Sequence, residues 1–124
     1  MHPFVYRRQV EFADTDMAGI VHFTAIFRYM ENAEHELLRS SGVGVLPRDG
    51  AHTLGWPRVT CSCEFKTPLR FGDLAEVRVG IARIGARSLS YVAEVYCGNR
   101  LVAKGRSTSA CCRDRKSTRL NSSH

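Results

Sequence analysis

The stretch Phe12-Ala13-Asp14-Thr15-Asp16-Met17-Ala18-Gly19-Ile20-Val21-His22-Phe23 joins two segments of different period. Before it, Phe4, Tyr6, Arg8, Val10 and Phe12 fall on one face of a period-two run, so residues 4–12 read as a strand. After it, Phe23, Ile26, Phe27, Met30, Ala33, Leu37 and Leu38 share a helical stripe, with Arg28, Glu31, Asn32, Glu36 and Arg39 largely off it. This spacing predicts a helix from about Thr24 to Ser41, with Thr24 as N-cap and Gly42 as the C′ stop. The linking stretch sets two carboxylates and a glycine turn against a helix N-terminus. There a carboxylate can act on a carbonyl while exposed N–H groups hold the developing oxyanion. That chemistry suits ester or thioester hydrolysis.

Residues 43–56 hold Gly44, Pro47, Gly50 and Gly55 and read as an irregular loop with room for one helical turn. Four strands are predicted to follow, over 57–67, 74–84, 87–97 and 100–112, with Gly98-Asn99 as a hairpin turn between the last two. Strand, long helix, then four antiparallel strands imply an α+β architecture: one long central helix wrapped by an antiparallel sheet of about five strands. The open edge of such a sheet calls for a second copy, as a homodimer or a homotetramer built from dimers.

With 124 residues and 44% hydrophobic composition, the chain is expected to form one domain over residues 1–113. The five cysteines include no C-x-x-C, and Cys111 and Cys112 are adjacent, so reduced thiols are expected, most of them as small core hydrophobes, with no metal site. No apolar run is long enough to span a membrane, and the first residues lack the apolar core of a signal peptide, so a cytoplasmic location is expected. The formal net charge is +6, but Arg113, Arg115, Lys116 and Arg119 against Asp114 place +3 of it in the last dozen residues. The remaining charge is ordinary, which argues against a nucleic-acid partner. Residues 114–124 are expected to form a tail outside the fold. Lys116–His124 resembles translated sequencing-adapter read-through, and no role is assigned to it.

From Tyr6 to Cys112 the chain resembles hotdog-fold acyl-CoA thioesterases of the 4-hydroxybenzoyl-CoA thioesterase type. The resemblance rests on Val10-Glu11-Phe12-Ala13-Asp14-Thr15-Asp16, on Gly19-Ile20-Val21, on Phe27, Tyr29 and Glu31, and on Phe65-Lys66-Thr67-Pro68-Leu69-Arg70-Phe71-Gly72-Asp73. It implies acyl-CoA hydrolysis to a free acid and CoA, with acyl-CoA as substrate partner and no cofactor. Asp16 would attack the thioester carbon or activate water, and the backbone N–H of Phe23 would polarise the carbonyl. Gly19 would shape the turn into the helix, and Asp14 would serve as a turn or hydrogen-bonding residue. Two carboxylates this close also suggest a raised pKa for one of them. Substrate-binding candidates are His22 in the cleft, Arg87 for a CoA phosphate and Trp56 for the acyl group. The acyl site would lie between protomers.

The chain departs from similar proteins at Phe27, where many have Tyr, and at Glu34, where Arg is frequent. A hydratase or dehydratase reading needs D-x-x-x-x-H, and Asp16 to His22 is one residue longer, which turns the register on the helix by about 100°. A binding module that keeps the fold without turnover is the other rival, and the intact Asp16 argues against it.

Overall fold

The computed structural model describes residues 3–42, 48–49 and 52–114. Strand β1 (Phe4–Gln9) leads through a single 3-10 turn (Phe12–Asp14) to helix α1 (Phe23–Ser40). Short strands β2 (Arg48–Asp49) and β3 (His52–Gly55) follow, then β4 (Arg58–Phe65), β5 (Leu74–Ile84), β6 (Ser88–Cys97), β7 (Arg100–Ala110) and β8 (Cys112–Asp114). Five strands form one antiparallel sheet in the order β1-β5-β6-β7-β4. One long helix packs on that sheet, as the two periods of the sequence required.

The core lies between them. Ala25, Ile26, Tyr29, Met30, Ala33 and Leu38 of α1 are buried against Ala75, Val77 and Val79 of β5, Tyr91, Ala93 and Val95 of β6, and Ala103 of β7. A Cβ on Gly105 of β7 would sit 2.5 Å from Met30 Sδ and 3.2 Å from the Ser62 carbonyl, so the bare glycine lets the helix seat on the sheet.

Five expectations change. The first strand stops at Gln9, because the chain turns in at Phe12–Asp14 to bury Asp14. The helix starts at Phe23, with His22 as the extended N-cap accepting from the Thr24 N–H. The predicted loop 43–56 contains β2 and β3, which pair with each other, and β3 also pairs with β8, far along the chain and out of reach of any local pattern. Residues 43–47 and 50–51 of that loop lie outside the described residues. Cys111 breaks the last predicted strand into β7 and β8, and residues 115–124 of the expected tail also lie outside the described residues. The cysteines are free, but none is buried: Cys61 and Cys112 are exposed and the other three half-buried. Gly42, with φ +86°, ends the helix as expected.

Among the described residues no helix is long and apolar enough to cross a membrane, and no group of metal-ligating side chains gathers. Replacing Gly105 with Val should cost about 1–3 kcal/mol of stability, since Met30 can shift but the Ser62 carbonyl cannot. Urea unfolding of the wild type and Gly105→Val would measure the difference.

Candidate active site

Asp16 opens a three-residue hairpin loop. Its N–H donates to the Ile20 carbonyl at 2.8 Å, its carbonyl accepts from the Gly19 N–H at 2.9 Å, and Thr15 bridges Val21 in antiparallel fashion. Gly19 takes φ +82°, the left-handed position that closes such a loop, so its turn belongs to this hairpin and not to the helix junction itself. The hairpin docks through Ile20 on Arg70 and through the Val21 N–H on the Leu69 carbonyl at 2.8 Å. Asp16 is exposed at its tip, and its Oδ1 accepts from the Ala18 N–H at 2.8 Å. The second carboxylate oxygen has no hydrogen-bond donor among the described residues.

The chain after the hairpin enters α1 at once. His22 Nδ1 accepts from the Thr24 N–H at 3.3 Å and contacts Thr24 Oγ1 at 2.8 Å, while its ring stacks on Phe23 with centroids 4.7 Å apart. The Ala25 N–H returns to the His22 carbonyl. That leaves the Phe23 N–H without an acceptor among the described residues, an orphan donor of the kind that helix starts present to anions.

Asp16, His22 and Phe23 line one cleft of about 440 Å³. Its apolar wall includes Ile26, Phe65 and Leu69, and Lys66 supplies a cation at its mouth. Phe65 lies edge-on to both Phe23 and Phe27. An exposed carboxylate, an unused backbone donor and an apolar wall suit attack on a carbonyl whose acyl group is shielded from water.

The other two candidates lie elsewhere in the chain. Arg87 is exposed in the β5–β6 turn, at the far end of the eleven-residue β5, roughly 30 Å along the strand from the cleft. Trp56 is half-buried against the core just before β4. Main-chain bonds from Ala110 to Pro57 and from Cys111 to Arg87 tie these two residues to the same end of β7.

Asp14, expected as a turn or hydrogen-bonding residue, is the centre of a cluster whose members Arg8, Arg28 and Tyr29 the sequence reading did not single out as functional. Asp14 is buried, and its Oδ2 accepts from the Tyr29 hydroxyl at 2.8 Å and from the Glu11 N–H at 3.0 Å. Its Oδ1 takes Arg28 Nη2 at 3.2 Å, and Arg8 Nη2 stands 3.5 Å from Oδ2 with its guanidinium over the Tyr29 ring. Burial alone would raise the Asp14 pKa. The Glu11 N–H, Tyr29, Arg28 and Arg8 outweigh it and hold the carboxyl below its ordinary value, opposite to the like-charge expectation. Burial, then the Asp14 carboxylate, raise the Tyr29 phenol, which stays a donor. The signal was legible: an Arg on the inward face of a strand needs a carboxylate. Glu34 is a second buried carboxylate, held by Arg58 at 2.7 Å and the Ser107 hydroxyl at 2.6 Å, and it interrupts the apolar stripe four residues after Met30.

A model of the thioesterase-like superfamily matches residues 10–122. A solved structure of an Aquifex aeolicus protein is 34% identical with a TM-score of 0.81, covering 89% of each chain. The structure of a gentisyl-coenzyme A thioesterase is 30% identical with a TM-score of 0.80, covering 87% of this chain and 86% of that one. A 1,4-dihydroxy-2-naphthoyl-CoA hydrolase of Synechococcus sp. (strain CC9902) is 30% identical over 103 residues, 79% of this chain and 69% of its own. The fold is a hotdog fold and the enzyme class that of the thioester hydrolases. The chain belongs to the thioesterase-like superfamily.

Since the pKa of Asp14 is depressed by folding, its contribution to stability is full above the unfolded value of about 3.9 and is lost as pH falls through the lower folded value. Asp14→Asn should therefore be less stable than wild type at neutral pH, with the gap narrowing below about pH 4. Urea midpoints at several pH values would check this.

Proposed function

We propose that the chain hydrolyses an acyl-CoA thioester to a free acid and CoA, with Asp16 as the reacting carboxylate and the Phe23 N–H as oxyanion donor. The observation that carries this reading is the shared cleft in which the exposed Asp16 meets the orphan helix-start donor beside an apolar wall. The free carboxylate oxygen attacks the thioester carbon, or takes a proton from the attacking water. The carbonyl oxygen gains charge in either route and turns to the Phe23 N–H, a donor worth roughly 3 kcal/mol at the transition state. The CoA thiolate leaves and takes up a proton; in the covalent route water then cleaves the mixed anhydride, which releases the free acid and restores the Asp16 carboxylate. Lys66 at the mouth suits the phosphates of CoA.

Thiol release from short, long and aromatic acyl-CoAs tests this. Asp16→Asn should lower turnover at least about 100-fold, ~2.7 kcal/mol of barrier, with the fold unchanged by circular dichroism. A folded wild type that binds CoA yet turns over none of the panel would replace this reading with a binding module. After turnover in oxygen-18 water, label in the Asp16 carboxylate would establish the covalent route, because only water attack at the aspartyl carbon of the mixed anhydride puts it there.

The site is completed by a second copy. Val59 and Phe65 of the edge strand β4 are 59% and 49% exposed, and Phe23, whose ring lies edge-on to Phe65, is 56% exposed, so α1 leaves this apolar surface uncovered. β4 starts next to Trp56 and ends with Phe65 at the cleft. Antiparallel pairing of two β4 edges about a two-fold axis therefore sets the start of one strand beside the end of the other. Trp56 and Arg87 of the partner subunit then approach the cleft from which their own chain holds them away. Co-expression of Asp16→Asn with Arg87→Glu should recover activity that neither variant has by itself, because a mixed dimer contains one intact site. No recovery in mixed dimers would place each site within one chain.

A further inference from the structure

Asp14 makes more contacts than a turn residue needs, and they run in two directions. Its side chain ties together the Arg8 guanidinium from β1, Arg28 and Tyr29 from α1, and the Glu11 N–H at the head of the 3-10 turn. Its own carbonyl accepts from the His22 N–H at 2.8 Å, one residue before the Phe23 donor. Through Thr15, bridged to Val21, it holds the first residue of the Asp16 hairpin. Both reacting groups thus hang from one anchored residue: Asp16 two positions along the chain, and Phe23 across a single main-chain bond.

We propose that Asp14 is a positioning residue that fixes the separation between the Asp16 carboxylate and the Phe23 N–H. The inference rests on the thioesterase reading given above. A change in side-chain anchoring tilts the 3-10 turn, and the His22 bond and the hairpin tilt with it. Shifts of about 1 Å between reacting groups cost on the order of 100-fold in rate, while substrate binding depends on the cleft wall, which Asp14 does not touch. Tyr29 acts through the same carboxylate and belongs to the same device.

The experiment compares wild type, Asp14→Asn, Tyr29→Phe and the double variant by steady-state kinetics and by amide hydrogen exchange, all in the folded protein. Tyr29→Phe keeps the carboxylate and the ring, and so remains informative if Asp14→Asn folds poorly. Expected are a fall in kcat on the order of 10- to 100-fold with KM within about 3-fold, and a double variant little worse than Asp14→Asn. The His22 and Asp16 amides should exchange at least about 10-fold faster while those of β5 and β6 keep their protection. Normal kcat in folded but less stable variants would make Asp14 a stability residue only and overturn the inference. So would unchanged exchange at His22 and Asp16, whatever the activity. Absence of turnover in the wild type would instead strike the thioesterase reading, leaving the exchange result to decide the anchoring.

Discussion

A carboxylate removed from water costs several kcal/mol unless its oxygens are met by donors or cations, and that constraint at Asp14 organises one end of this molecule. The carboxylate accepts a hydroxyl, a main-chain N–H and one guanidinium, and a second guanidinium stands at 3.5 Å, with donors drawn from β1, the 3-10 turn and α1. Tyr29 and the largely buried Arg8 would be costly to bury without it, while Arg28 reaches it from the exposed face of α1. Arg8 points inward from a strand face otherwise occupied by Phe4 and Tyr6, and Tyr29 is fully buried beneath it. The cluster satisfies itself at the point where strand, turn and helix meet. The chain therefore leaves the sheet at Gln9 and does not continue to Phe12 as period-two patterning suggests.

The same geometry gives two carboxylates two residues apart opposite surroundings. Asp14 ends a 3-10 turn and faces the core; Thr15 is extended, with φ −98° and ψ 160°; Asp16 begins the hairpin and faces solvent. Asp14 is buried with both carboxylate oxygens engaged and does not line the cleft. Asp16 is held by its own backbone and by one side-chain oxygen, which leaves the other free. The division of labour follows from environment, since the side chains are identical.

The sheet and the helix were legible because their periods are long and clean: β5 and β6 differ from the predicted strands by a residue at most, and α1 is displaced by one. What escaped depends on contacts remote in sequence. β2 and β3 are two and four residues long, and β3 finds β8 some sixty residues later. Tyr29 and Glu34 lie on the apolar stripe of the helix, yet their polar partners are Asp14, Arg58 and Ser107, which no local window brings together. At the site, the Asp-Thr-Asp-x-x-Gly pattern placed Asp16, Gly19, His22 and Phe23 at one hairpin and helix start. Nothing in the pattern separated them from Arg87 and Trp56, because a linear sequence does not say that β5 runs away from the cleft for its whole length.

That separation gives the uncovered edge its meaning. An exposed strand edge carrying Val59 and Phe65 beside Phe23 would be a hazard in a lone chain, since it offers both unpaired main-chain groups and apolar surface to any partner. Burial still pushes the Cys63 thiol on this strand up to about 11, so no reactive thiolate sits in the strip at neutral pH. The proposed pairing of two such edges would remove the hazard and, by its antiparallel sense, would bring the Trp56 and Arg87 end of each chain towards the cleft of the other. Under the pairing proposed above, the edge that the fold leaves open is the surface through which the site would gain the cation and the aromatic group that its own chain holds at a distance. If the two edges pair in this way, association and the cleft wall draw on one strip of side chains, because Phe65 packs on Phe23 and Phe27, lines the cleft and lies on the open edge.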